Sequence, residues 1–341
     1  MTTTRSYTNA FEIVDYTEEL QLVPPSWTLL NDSALFSEEF LSTNTVTFEE
    51  NNKTLGLIVD QFRGAKPQAN KDDNRKIRAY NISHWPTVDA VKPEDIQGKK
   101  AYGSMDTAET EAAVIARKME RIRRNLDVTL EVGRWSLLTT GNLYSPGGTN
   151  TGNIYSDFGI TQTSVDFALN VTTTDIISKV EAVISSMQDN SNTSDIISGV
   201  TAYCSPEFFG KLISHAKVTD AYKYFSAIEG QQITRNRAGG NMGLYREFSY
   251  GGIRFVEVRT VLAGQRLIPA GDAVFVPSGT SDVFMSYYGP CNRMDFVNTV
   301  AERAYLFAYR DPKGGGIDLD AEMNVTSIVR RPQLVIRGFT A

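Results

Sequence analysis

The side chains best suited to chemistry in this 341-residue chain are few and lie far apart. His84 and His215 are the only histidines, and Cys204 and Cys291 the only cysteines. An imidazole can shuttle protons or bind a metal, and a thiolate can attack carbon or hold zinc. Either task needs partners at defined spacing, such as a CxxC pair or an HExxH turn. No carboxylate or cysteine stands at ligand spacing from either histidine, so both read as surface or hydrogen-bonded core residues. Gly239–Gly243 is glycine-rich but lacks GxxxxGK[ST] and GxGxxG, and reads as a mobile loop within Gly230–Gly243. There is no GxSxG and no paired carboxylates to single out. Arg123-Arg124 and Arg330-Arg331 are too short for a nucleic-acid patch and read as solvated faces. The sequence therefore predicts no catalytic residue, no cofactor site and no metal site.

Composition sets further bounds. The length suggests about two domains at ~150 residues each. The net charge of −6 argues against a dedicated nucleic-acid binder. No run approaches the ~18 apolar residues of a membrane span. Met1 to Ala10 is polar and lacks a signal-peptide core. Lone cysteines fit a reducing compartment, and the Asn-x-Ser/Thr triplets then carry no glycosylation meaning.

The element that organises the rest is the stretch from Asp106 to Thr140. Its apolar residues Ile115, Met119, Ile122, Leu126, Leu130 and Leu137 make one helical stripe. Arg117, Glu120, Arg121, Arg124, Asp127 and Glu131 are assigned to the opposite, polar face. Asp106 is the expected N-cap, with Glu109 in the first turn, and Gly141 the stop. Thr129 and Gly133 disrupt a heptad pattern, so a spine lying across a sheet is favoured over a coiled-coil arm.

Around this helix the chain divides readily. Residues 1–44 read as an arm with short helices near Tyr16–Gln21 and Ser33–Leu41, too poor in large apolar residues to fold alone. Thr45–Glu49, Thr54–Val59 and Lys76–Ser83 are strand-like, with a turn at Asn51-Asn52 and a polar, basic segment at Arg63–Arg75. Together they suggest a long projecting hairpin. Beyond Asn153 the pattern is mixed. Thr174 caps a helix that faces Ile176, Ile177, Val180, Val183, Ile184 and Met187 to a core. Gly199–Cys204 is a strand, and Ser205-Pro206 opens a helix carrying Phe208, Phe209, Leu212 and Ile213. Later strands are expected in Gly252–Arg259, Asp272–Val276, Ala301–Tyr309, Thr326–Val329 and Leu334–Arg337.

This order of parts resembles the tailed-phage major capsid proteins, and within them the lambda-type major head protein family. Thr45–Glu50 resembles that family's strand entering the extended loop, and Trp85–Gly98 its proline-marked return before the spine. The long helix, the strand-to-helix run from Cys204 to Phe209, and Tyr250–Phe255 with Ile268–Val274 are similar as well. The resemblance implies an α+β fold with an N-terminal arm, an extended β-hairpin loop, a peripheral domain holding the long spine helix, and a mixed α/β axial domain. The implied boundaries are 1–44 for the arm, 45–102 for the loop, 103–152 with 291–325 for the peripheral domain, and 153–290 with 326–341 for the axial domain.

It also implies a function: self-assembly into hexamers and pentamers of an icosahedral shell enclosing packaged double-stranded DNA. Implied partners are other copies of the chain, a separate scaffold protein, a portal, a decoration protein and non-specifically contacted DNA, with no membrane. The place is the virion, after assembly in the host cytoplasm. The chain shows no long, charged helical N-terminal extension, so a fused scaffold is not expected, and no crosslinking motif is matched. Two other readings stay open from the residues: the shell of a cargo-holding bacterial nanocompartment, and a cytoplasmic α/β enzyme.

Overall fold

A computed structural model of the chain describes residues 13–24, 28–51, 75–99, 110–145, 147, 152–191, 197–225, 234–237, 244–262, 264–280, 282–312 and 314–340. Its longest helix is Glu111–Thr140, 30 residues, or about 45 Å at 1.5 Å per residue. The cap is Thr110, whose hydroxyl accepts from the Ala113 N–H at 3.3 Å. Asp106 lies outside the described residues, and Thr110 takes the role assigned to it. Gly141 ends the helix in the left-handed region at φ 74° and returns its N–H to the Leu137 carbonyl. A Cβ at Gly141 would come within 2.4 Å of the Tyr155 ring, so both conformation and space demand glycine.

All six stripe residues are buried. Ile115, Met119, Ile122, Leu126 and Leu130 pack on Leu306, Leu319, Ala321 and Met323 of a sheet, which makes this helix a spine and not a free coiled-coil arm. The polar face holds for Arg117, Glu120, Arg121 and Arg124, which are exposed. It fails for Asp127 and Glu131, which are 2% and 0% exposed, and for Arg123, which had read as solvated. The reason is enclosure. From Leu130 to Trp135 every residue is buried, because the N-terminal arm lies against one side and a second sheet meets another.

The sheet under the spine is ordered Ile13–Asp15, Tyr305–Arg310, Ile317–Val329, Phe284–Tyr288, Ser37–Phe40, with His84–Val91 also paired to residues 317–324. Its strands come from three distant parts of the chain. Ser37–Phe40 corrects the helix expected over Ser33–Leu41: it pairs parallel with Phe284–Tyr288, and the Phe40 ring stacks on Tyr288 at 5.0 Å. The earlier helix is present at Thr17–Leu22. The arm thus rests on its own subunit.

Thr45–Asn51 pairs antiparallel with Arg75–Asn81. Asn51 is therefore a paired strand residue opposite Arg75 and not a turn. Thr54–Val59 and the basic tip up to residue 74 lie outside the described residues.

The second sheet runs Ser164–Asp166, Ile336–Phe339, Asp272–Ser278, Gly199–Cys204, Ile253–Glu257, Leu244–Tyr250, Thr234–Arg237. Thr234–Arg237, within the loop expected over Gly230–Gly243, is instead a strand, because it pairs with Leu244–Tyr250. The Ser205-Pro206 start holds: the Ser205 hydroxyl caps Pro206–Ser214 through the Phe208 N–H at 3.3 Å. The helix Ile176–Asn190 is capped by Asp175 and not Thr174. Ile176, Val180, Val183 and Met187 occupy its buried stripe, which turns Ile177 outward. Strands that the sequence pattern does not predict include Ile13–Asp15, His84–Val91, Ser164–Asp166, Leu244–Tyr250, Phe284–Tyr288 and residues 317–325 of the strand Ile317–Val329. The border placed between residues 325 and 326 falls inside that strand, and Phe284–Tyr288 belongs to the spine's sheet.

Trp135, Leu137 and Leu138 at the end of the spine join residues of both sheets in one core, among them Tyr203, Val256, Phe284 and Ile328. The Trp135 indole meets Tyr203 edge-on at 5.3 Å.

Candidate functional site

The polar residues that the fold does bring together lie where the arm crosses the spine. The Glu131 carboxylate accepts from the backbone N–H of Leu30 at 2.8 Å and of Asn31 at 3.0 Å. It also accepts from the indole N–H of Trp135, one turn on, at 2.8 Å. These two amides open the short helix Leu29–Asp32, so a side chain distant in sequence caps it. Asn31 Nδ2 donates to the Asp127 carbonyl at 3.1 Å.

Arg134, three residues on from Glu131 along the helix, ties the arm to the sheet. It donates to Asn31 Oδ1 at 2.8 Å, to Ser286 Oγ at 3.0 Å and to Glu38 Oε1 at 3.2 Å. Its guanidinium stands 4.9 Å over the Phe36 ring. Tyr288 donates its hydroxyl to the same Glu38 oxygen at 3.1 Å. Arg303 lies 3.9 Å from Glu38 and 3.8 Å from Asp127, and Arg123 pairs with Asp127 at 3.4 Å. Cations and anions are thus interleaved, as burial of charge requires.

The electrostatics follow. Burial pushes the Glu131 carboxyl up, against the pull of the Leu30, Trp135 and Asn31 donors. Burial pushes the Tyr288 phenol well up, with Glu38 adding to it. Burial alone would lower Arg303, yet Tyr288, Glu38 and Asp127 hold it above its ordinary value. Each carboxylate of this hub faces donors or cations. The arrangement holds a segment in place.

Of the residues with chemical potential, His84, 3.9 Å from the Glu322 carboxylate, and Cys291 both lie beside Glu322, while Cys204 lies beside Glu257. His84 Nδ1 is 2.7 Å from Asn324 Oδ1 and His215 Nε2 is 3.0 Å from the Val171 carbonyl. Cys204 and Cys291 are buried and unpaired. Burial raises both thiols, with Glu257 and Glu322 respectively adding to it. Among the described residues no group of three His, Cys, Asp or Glu side chains could hold a metal, and no helix is long and apolar enough to cross a membrane. Arg330 donates to the Tyr287 hydroxyl at 2.6 Å. Gly239–Gly243 lies outside the described residues. The hub was missed because its partners are about a hundred or more residues apart. Its one visible signal was two carboxylates, Asp127 and Glu131, in the half of the helix richest in large apolar residues.

Comparison with known proteins adds to this picture. The family described as phage major capsid protein E matches residues 12–340. The chain is 39% identical over 347 residues to the major capsid protein of Pseudomonas phage KPP10, covering 98% of this chain and 99% of that protein. It is 26% identical over 358 residues to the major capsid protein of Salmonella phage Felix O1, covering 98% and 97%. Among solved structures, the capsid of cyanophage P-SCSP1u aligns with a TM-score of 0.53 at 12% identity, over 100% of this chain and 92% of the other. That last likeness concerns the fold.

Proposed function

The chain belongs to the phage major capsid protein E family, and we propose that its copies assemble as hexamers and pentamers of an icosahedral shell around packaged double-stranded DNA. It is a structural protein of the virion. The observation that carries the reading is likeness to a phage major capsid protein along essentially the whole chain. A projecting hairpin also suits a subunit that must contact several neighbours at once, since many modest contacts reinforce one another.

The finer assignments follow from the same reading. The spine and its sheet form the peripheral domain, and the seven-stranded sheet with its helices forms the axial one. The hairpin entered by Thr45–Asn51 reaches a neighbouring copy. A separate scaffold, a portal and a decoration protein are its partners, DNA is touched without sequence readout, and assembly takes place in the host cytoplasm. Purified protein, with scaffold supplied, should show a threshold concentration in light scattering and yield closed particles of uniform size under the electron microscope. Protein that stays monomeric at high concentration under those conditions, or that turns over a small substrate saturably, would overturn this function.

A further inference from the structure

The segment between the strands Phe284–Tyr288 and Tyr305–Arg310 displays Met294 at 89%, Val297 at 58% and Val300 at 68% exposure, three large apolar side chains within seven residues. Elsewhere among the described residues such side chains, for example Leu22 and Val261, are isolated along the sequence and need no explanation. This segment is also firmly seated. Phe296 is held edge-on between Tyr305 at 5.4 Å and Phe307 at 5.6 Å. The Arg293 guanidinium lies 3.8 Å above the Phe307 ring and donates to Asp320 at 2.7 Å. The Asn292 N–H reaches Glu322 at 2.9 Å, and the Ala301 N–H reaches the Leu41 carbonyl at 2.9 Å. An aromatic and an ionic anchor fix the base, and the apolar side chains between them are left bare.

We propose that loop 291–301 is a contact surface for a second copy of this chain, with Met294, Val297 and Val300 as its apolar centre. The proposal rests on the shell-forming reading and adds the surface to it. Two observations favour a copy over a foreign partner. The first is charge. Copies that each carry −6 repel one another, but loop 291–301 contains only Arg293 and Asp295, and Arg293 is already paired. The second is size. Three aliphatic-sized side chains fall short of the ~800 Å² per partner of a free-standing interface. Such a patch holds a partner only when other contacts act with it, as they do between repeated copies in a closed assembly.

The test uses full-length protein, with scaffold where assembly needs it. Met294→Glu with Val297→Glu should leave circular dichroism and the melting curve unchanged, since both side chains are solvent-exposed. It should raise the threshold concentration for particles at least tenfold or abolish closed particles. Met294→Leu with Val297→Ile should assemble as the wild type does. In the unaltered protein, peroxide should oxidise Met294 at least tenfold more slowly in particles than in free subunits, read peptide by peptide by mass spectrometry. Normal assembly of the glutamate variant, or equal oxidation of Met294 in both states, overturns the loop assignment while the shell function stands. Wild-type protein that forms no particles defeats the shell function and this surface together.

Discussion

The two sheets are stabilised in different ways. The seven-stranded sheet draws every strand from Ser164 onward, and its core is aromatic and aliphatic: Phe167, Phe208, Phe255 and Phe275 are all fully buried. Phe167 stacks on Phe275 at 5.4 Å, and Phe255 meets Phe275 edge-on at 6.0 Å. The spine's sheet instead gathers strands from residues 13–40, 84–91 and 284–329, and it fastens the arm with hydrogen-bonded charges. Apolar packing tolerates small slips, because one methyl contact can replace another. Glu131 does not: only one placement of Leu30 and Asn31 offers both amides to it. A piece arriving from a distant part of the chain therefore gains a unique position from the polar contacts, and its adhesion from Leu30 and Phe36.

The largest expected effect breaks the apolar part of the spine's own sheet. Ile122→Asp places an unpaired carboxylate among Leu306, Leu319 and Met323 and should cost about 5 kcal/mol. Insoluble protein is the predicted outcome. Arg121→Ala is the matched control one residue away. Arg121 is largely exposed and pairs with Asp89 at the surface, so its loss should cost ~0–1 kcal/mol in a denaturant melt. Equal tolerance of both changes would mean that the stripe does not carry the helix.

Next in size is the hub. Arg134→Ala leaves Glu38, Asn31 and Ser286 without their shared donor. Removing one partner of a buried pair costs about 3–5 kcal/mol, and the lower end is expected because Glu38 is partly exposed. The loss should be local: hydrogen exchange should rise at the Leu30 and Asn31 amides while Phe255 and Phe275 keep their protection. Uniform loss of protection would show that the two sheets unfold as one unit, and the contrast drawn above would fail.

How much of this was legible in the sequence follows the same division. Gly199–Cys204 and the Ser205-Pro206 helix start were read correctly, because their signals lie within one short stretch and their partners are close. The stripe and Gly141 were readable for the same reason. Ser37–Phe40 was not. A four-residue strand is defined by the strand beside it, here Phe284–Tyr288, and no local pattern reveals that neighbour. Asp127 and Glu131 were placed on a wet face since helical periodicity reports angle around the axis, not what covers each angle. Thr234–Arg237 was hidden by its polar composition. The site had no motif to find, because its chemistry is structural and its donors are largely backbone N–H groups and the Arg134 guanidinium.

The smallest effect separates the two regions by sign. Glu131 and Glu257 share an ordinary value of 4.5, but their surroundings differ. For Glu257, burial raises the carboxyl, yet hydrogen bonds from Arg246 at 2.6 Å and Arg259 at 2.8 Å outweigh it, and the net shift is downward. A lowered folded value adds stability above pH 4.5 that is lost as pH falls through that folded value. For Glu131, burial exceeds the pull of its neutral donors, and the net shift is upward. Its contribution is full below pH 4.5 and declines as pH rises through the folded value. Denaturant melts from about pH 3 to about pH 8 on Glu131→Gln and Glu257→Gln, each against wild type, read these terms separately. The wild type's advantage over Glu257→Gln should grow with rising pH, and its advantage over Glu131→Gln should shrink. Parallel curves would mean that the charged Arg134 nearby, and not the neutral donors, governs Glu131. The arm would then be fastened by the same full ion pairing that secures Glu257, and the two sheets would differ in connectivity alone.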